Sequence, residues 1–188
     1  MEQDNKKILP YNLQKKIIDY LNYQVKGKEF ENWLFETPEL NNLIKSQYLE
    51  LITLDYPKEN IKSEVQVILN DFLDYKNFEI KEIIRHIEHI LHLTNEMPHS
   101  LKFLYHLSCH NNYFFLRELE NSFYSLAFEV GVCYMENWVT FSENQRLEII
   151  YNFKDNLFHN CKKVIKELNR KEVVFEPVLS QCGEFYEF

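Results

Sequence analysis

Glycine, proline and alanine are scarce in this chain. Its 188 residues include three Gly, five Pro and one Ala, Ala127. So few tight-turn residues argue against a β-sandwich and for long helices joined by short connections. Gly27, Gly131 and Gly183 lie far apart, so no glycine-rich loop can cradle a phosphate, and nucleotide binding by that route is excluded. No apolar run approaches the roughly 20 residues that span a bilayer. The N-terminal residues show no apolar stretch followed by a small-residue cleavage site. The four cysteines, Cys109, Cys133, Cys161 and Cys182, form no Cys-x-x-Cys pair. Free thiols in a reducing compartment are therefore expected rather than a disulfide framework, and the expected location is the cytoplasm.

Basic charge is also short. The formal net charge is -8, and no basic face is evident. Phosphate neutralisation supplies most nucleic-acid affinity, so a nucleic-acid partner is not expected. The acids are unevenly spread. Residues 1–28 hold six Lys against three acids, whereas residues 29–55 hold six acids against Lys45 alone. Residues 172–188 hold four Glu and no base.

Hydrophobic residues make up 45% of the chain and aromatics 15%, which is enough for a full core. Their spacing is helical. Leu13, Ile17, Leu21 and Val25 define a first helix from Pro10 to about Lys26, with Gly27 as its stop. A short helix carries Phe30, Trp33 and Leu34. Thr37 and Pro38 read as N-cap and first residue of a third helix, with Leu40, Ile44, Tyr48, Leu51 and Ile52 on one face. After Pro57 come a helix with Ile61, Val65 and Leu69, one from about Glu79 to Leu93, and a short one from Pro98 to Cys109. A long helix carries Leu116, Phe123 and Tyr134. Ser142 and Gln145 form a capping box ahead of a last helix reaching Leu168. The Glu-Asn-Trp sequence before Thr37 recurs before Ser142, a short internal echo. The expectation is an all-α, single-domain bundle of about seven or eight amphipathic helices over residues 1–170, with an extended acidic aromatic tail over 171–188.

Three constellations bear on chemistry. Glu82, His86 and His89 share one side of a helix, and His106 and His110 are spaced four apart. Together they offer a metal site between two helices, the reading of a metal-binding protein or metalloenzyme. Against it stand the lack of a Glu-x-x-His pair on two helices and the plain alternative of histidines on a solvated side. The acids show no pair in an apolar run that would tune one for acid catalysis. Ser108, Cys109 and His110 are adjacent, so their side chains diverge and form no relay. No catalytic motif emerges, and neither catalysis nor a cofactor is expected. The aromatics at 113–115 exceed what one helix face can bury, which points to a helix covered on several sides. The tail aromatics Phe185, Tyr186 and Phe188 have no helical period, and either fold back or meet a partner.

One segment carries a resemblance. Phe30-x2-Trp33-Leu34, then Tyr48-Leu49-Glu50-Leu51-Ile52, then Asp55-Tyr56 and a new helix resemble the N-terminal part of small helical immunity proteins. Those proteins accompany bacterial polymorphic and contact-dependent toxins, including colicin-type systems. The likeness covers Phe30 to Leu73. Where the family pattern has Gly-Glu ahead of the Tyr, this chain has Lys45-Ser46-Gln47. The resemblance implies a stoichiometric inhibitor of a cognate toxin, such as a nuclease with a basic site. An acidic inhibitor associates quickly with a basic surface. The expected contact residues are Glu29, Glu31, Glu36, Glu39, Glu50 and Asp55, with Glu184, Phe185, Tyr186 and Glu187 in the tail. Trp33, Tyr48, Leu51 and Ile52 are expected in the core. A scaffold or regulator that binds through its aromatics is the other non-catalytic reading.

Overall fold

The computed structural model describes residues 7–58, 60–109, 113–116, 137–170, 173–175 and 177. The protein is all-helical: nine α-helices and no strand occur among the described residues. The chain divides into two compact units, Met1–Glu79 with Pro177–Phe188, and Ile80–Glu176.

The first unit holds α1 (Tyr11–Leu21), α2 (Gly27–Glu36), α3 (Pro38–Ile44), α4 (Ser46–Ile52) and α5 (Ile61–Leu69). It also includes the start of α6 (Tyr75–Leu91), which runs through the division. The core draws one or two side chains from each element: Leu13 and Ile17, Phe30 and Leu34, Leu40, Leu51, Val65 and Leu69. At its centre Tyr20 stacks on Phe30, with ring centroids 4.1 Å apart, and meets the edge of Tyr56. Tyr56 donates to the Leu51 carbonyl at 3.0 Å. Gln14 ties two chain segments together, donating to the Leu9 carbonyl at 2.7 Å and accepting from the Asp74 amide at 2.9 Å.

Three expected boundaries move. The first helix ends at Leu21 rather than near Lys26, because Tyr23 takes a positive φ of 65° and turns the chain. Gly27 therefore opens α2 instead of closing α1. A Cβ there would lie 3.0 Å from the Tyr56 carbonyl oxygen, so a residue without one lets α2 start against that backbone. The expected third helix is two helices. Lys45 has φ 43° and ψ -102°, which breaks the helix between Ile44 and Ser46. Thr37 does not cap α3; its hydroxyl donates back to the Trp33 carbonyl at 2.7 Å, closing α2. Pro38 does take the first turn of α3, as expected.

The second unit holds the rest of α6, α7 (Met97–Ser108), α8 (Glu143–Ile149) and α9 (Lys154–Asn169). Ile83, Ile87 and Ile90 of α6 and Leu101, Leu104 and Leu107 of α7 are fully buried. The capping box is present: Ser142 accepts from the Gln145 amide, and the Gln145 side chain accepts from the Ser142 amide. The helix it opens stops at Ile149, however, and a turn over 150–153 separates α8 from α9 where one helix was expected. The two halves of the internal echo therefore differ, since Ser142 caps and Thr37 does not. Arg146 is the hub of this region. It donates to the carbonyls of Leu93 (2.6 Å) and Trp138 (2.9 Å) and to the Asn95 side chain (2.6 Å). The buried Trp138 indole in turn donates to the Thr94 carbonyl at 2.8 Å.

Leu116 sits in a short 3-10 turn, Phe114–Leu116. The remainder of the long helix expected after it lies outside the described residues. Tyr113 is buried and packs with half-buried Phe115 on Phe175, at centroid distances of 5.3 and 5.5 Å. The beginning of the expected tail thus packs onto the second unit. Glu184, Phe185, Tyr186 and Glu187 lie outside the described residues.

Candidate functional site

The acidic stretch of the first unit occupies α2, α3, α4 and the turn after them. Tyr48 donates to the Leu34 carbonyl at 3.0 Å, which holds α4 against the C-terminal end of α2. Leu51 is fully buried, while Trp33, Tyr48 and Ile52 pack partly buried on the core. These four positions of the resemblance serve the fold, as expected from their type.

The six acids separate into three kinds. Glu29 pairs with Lys16, and Asp55 pairs with Lys58 at 3.5 Å. Glu31 is half-buried and lies close enough to Tyr56 to add to the upward push that burial gives that phenol. Glu36, Glu39 and Glu50 are exposed, and their carboxylates make no ion pair or hydrogen bond among the described residues. Only these three are wholly available to a partner.

Two apolar side chains that the pattern had not marked stand beside them in sequence. Phe35, next to Glu36, is 58% exposed, and Leu49, next to Glu50, is 61% exposed. Each directly follows one of the two residues joined by the Tyr48–Leu34 hydrogen bond, so both lie where α2 meets α4. A signal for Leu49 existed in the run from Tyr48 to Ile52. Four of its five residues are apolar, and one helix face cannot hide them all.

The histidine segment is arranged differently from the solvated side expected of it. His86 is 2% exposed and Glu82 is 5% exposed, because α7 covers that side of α6. The His86 ring stacks on Phe103 with centroids 4.1 Å apart. Its Nδ1 lies 2.9 Å from Ser100 Oγ, and its Nε2 lies 3.1 Å from Arg85 Nη2. Arg85 also grips Glu82 with two hydrogen bonds, at 2.8 and 3.2 Å. His89 is half-buried and meets Thr94 Oγ1 at 2.9 Å. Among the described residues, no three His, Cys, Asp or Glu side chains converge as a metal would require. His106 is half-buried on α7, and His110 lies outside the described residues.

Ser100 and His86 have the atoms of a nucleophile and its base, but Ser100 is fully buried and no substrate can reach it. Cys161 is likewise buried, which pushes its thiol up to about 12 and leaves it unreactive at neutral pH. Neither group is placed for catalysis.

No protein-family model matches the chain, and neither a curated protein nor a solved structure matches it.

Proposed function

We propose that this chain is a non-catalytic, immunity-type protein that binds and neutralises a cognate toxin through the acidic face of its first unit. The observation that carries the reading is the set of Glu36, Glu39 and Glu50, exposed and unpaired, with exposed Phe35 and Leu49 beside them. Free carboxylates attract a basic surface over a distance, and a desolvated aromatic supplies the short-range anchor. A nuclease toxin with a basic substrate cleft offers both a cationic wall and a floor on which bases stack. The proposed place of action is the cytoplasm. No helix among the described residues is long and apolar enough to cross a membrane.

The test uses this protein and the toxin domain encoded beside its gene, mixed as a purified pair. Charge reversal at Glu36, Glu39 and Glu50 should lower the association rate at least tenfold at low salt and flatten its salt dependence. Phe35→Ala should instead speed dissociation. A tight complex whose association rate ignores both salt and the three reversals would refute the acidic face as the working surface.

A further inference from the structure

The seam between α6 and α7 in the second unit is closed by a buried polar network whose donors and acceptors fix one protonation state. A guanidinium can only donate, so Arg85 Nη2, 3.1 Å from His86 Nε2, requires that nitrogen to accept. The imidazole proton must then sit on Nδ1, which donates across the seam to Ser100 Oγ at 2.9 Å. The same reasoning applies to His89, whose Nε2 lies 3.4 Å from Arg85 Nη1 and whose Nδ1 meets Thr94 Oγ1. Among the described residues Glu82 is the one carboxylate facing this cluster, and two Arg85 nitrogens engage it.

We propose that the α6–α7 seam is an acid-operated latch, closed only around a neutral His86 with its proton on Nδ1, and released when that ring takes a second proton. A proton on Nε2 would point at a guanidinium that has no lone pair to receive it. It would also set two cations 3.1 Å apart, one of them on a His86 that is only 2% exposed, the other on an Arg85 side chain that is 41% exposed. Among the described residues the charged and titratable groups that face His86 are Glu82, Arg85 and His89 on its own helix and His99 on α7. Of these only Glu82 favours the protonated ring. Burial first, then Arg85, with His99 and His89 adding, holds the His86 imidazole down at about 3 in the closed seam.

The sign follows from linkage. A histidine freed from the seam takes up its proton below about 6.5, whereas the closed seam refuses it. Closure is therefore at full strength above that value. It weakens by up to about tenfold per pH unit below it, until the closed form itself protonates. Ordinary carboxylates titrate near about 4, so the window from about 6.5 to 4.5 isolates the imidazoles. Release would free Ser100 and Phe103 of α7, the residues that meet His86 across the seam.

The experiment is amide hydrogen exchange on the full chain between pH 7.5 and 4.5, corrected for intrinsic rates, alongside imidazole 15N shifts of His86. The expected result is a neutral ring protonated at Nδ1 at pH 7.5. Protection of the α7 amides should then fall by up to about tenfold per unit below about 6.5, while α1–α5 keep theirs. His89→Gln and His99→Gln should leave that fall in place, and His86→Phe, where it folds, should abolish it. The 15N shifts keep the test decisive where that variant does not fold. A proton on Nε2 at neutral pH would overturn the latch. So would flat α7 protection across the window, or protonation of His86 with protection intact, the sign that Glu82 had exchanged Arg85 for the histidine.

Discussion

Buried polar side chains in this protein do opposite things depending on whether they are matched. Gln14 uses both ends of its amide, joining the Leu9 carbonyl to the Asp74 amide. Gln14→Leu keeps the volume and strands both backbone groups. We predict a loss of about 1–3 kcal/mol, read as a lower midpoint in urea. Tyr20 is the converse. Its ring stacks on Phe30, but its buried hydroxyl has no partner among the described residues. Burial, with Tyr23 adding, pushes that phenol up to about 12, so the group stays a protonated, unmatched hydroxyl. Tyr20→Phe should leave stability unchanged or raise it by about 1 kcal/mol in the same urea titration. A clear loss would mean that the hydroxyl has a partner after all. None of this was legible in the sequence, because neither the five-residue reach of Gln14 to Leu9 nor its sixty-residue reach to Asp74 follows a period.

Helix existence was legible and helix endings were not. The apolar spacing located the helical regions around Leu13, Phe30, Ile61, Ile83 and Leu157, and the Ser142 capping box formed as expected. The breaks at Tyr23, Lys45 and 150–153 carry no proline and no glycine. Tertiary packing imposes them against local preference, since ending a helix there lets Ile44 and Leu51 both reach the core. The cost is visible at Lys45, whose φ of 43° with ψ -102° suits glycine. Lys45→Gly is predicted to stabilise the protein by about 1 kcal/mol, seen as a higher thermal midpoint. An unchanged or lower midpoint would show that the break costs no strain.

For the whole molecule, charge placement matters more than charge total. The formal net charge is -8, yet Glu29 and Asp55 are partly neutralised by Lys16 and Lys58. Exposed pairs of this kind contribute little to stability. The carboxylates of Glu36, Glu39 and Glu50 make no ion pair or hydrogen bond among the described residues, and Glu39 alone sits in a first helical turn, so reversing the three to Lys should cost no more than about 1 kcal/mol in a urea titration. That separation makes the binding test clean. A variant that stays folded, with a slower salt-insensitive association, has lost a partner surface and not its fold. If the triple variant unfolded instead, the three carboxylates would belong to the structure.

The helical class was written in the apolar pattern, because an apolar side chain every three or four residues is buried by winding the backbone into helices that share a core. The uneven charge was legible too, since it follows from the order of acids and bases along the chain. The sequence marked His86 and Glu82 as neighbours on one helix side, because i and i+4 always face together. That this side is covered by α7 rather than by water came from the packing of distant segments, which drew His86 and Glu82 into a network with Arg85 and Ser100. Only the tertiary structure decided which acids remain free and that Phe35 and Leu49 stand beside them. Periodicity assigns a side chain to a helix face, whereas what lies against that face depends on residues distant in the chain.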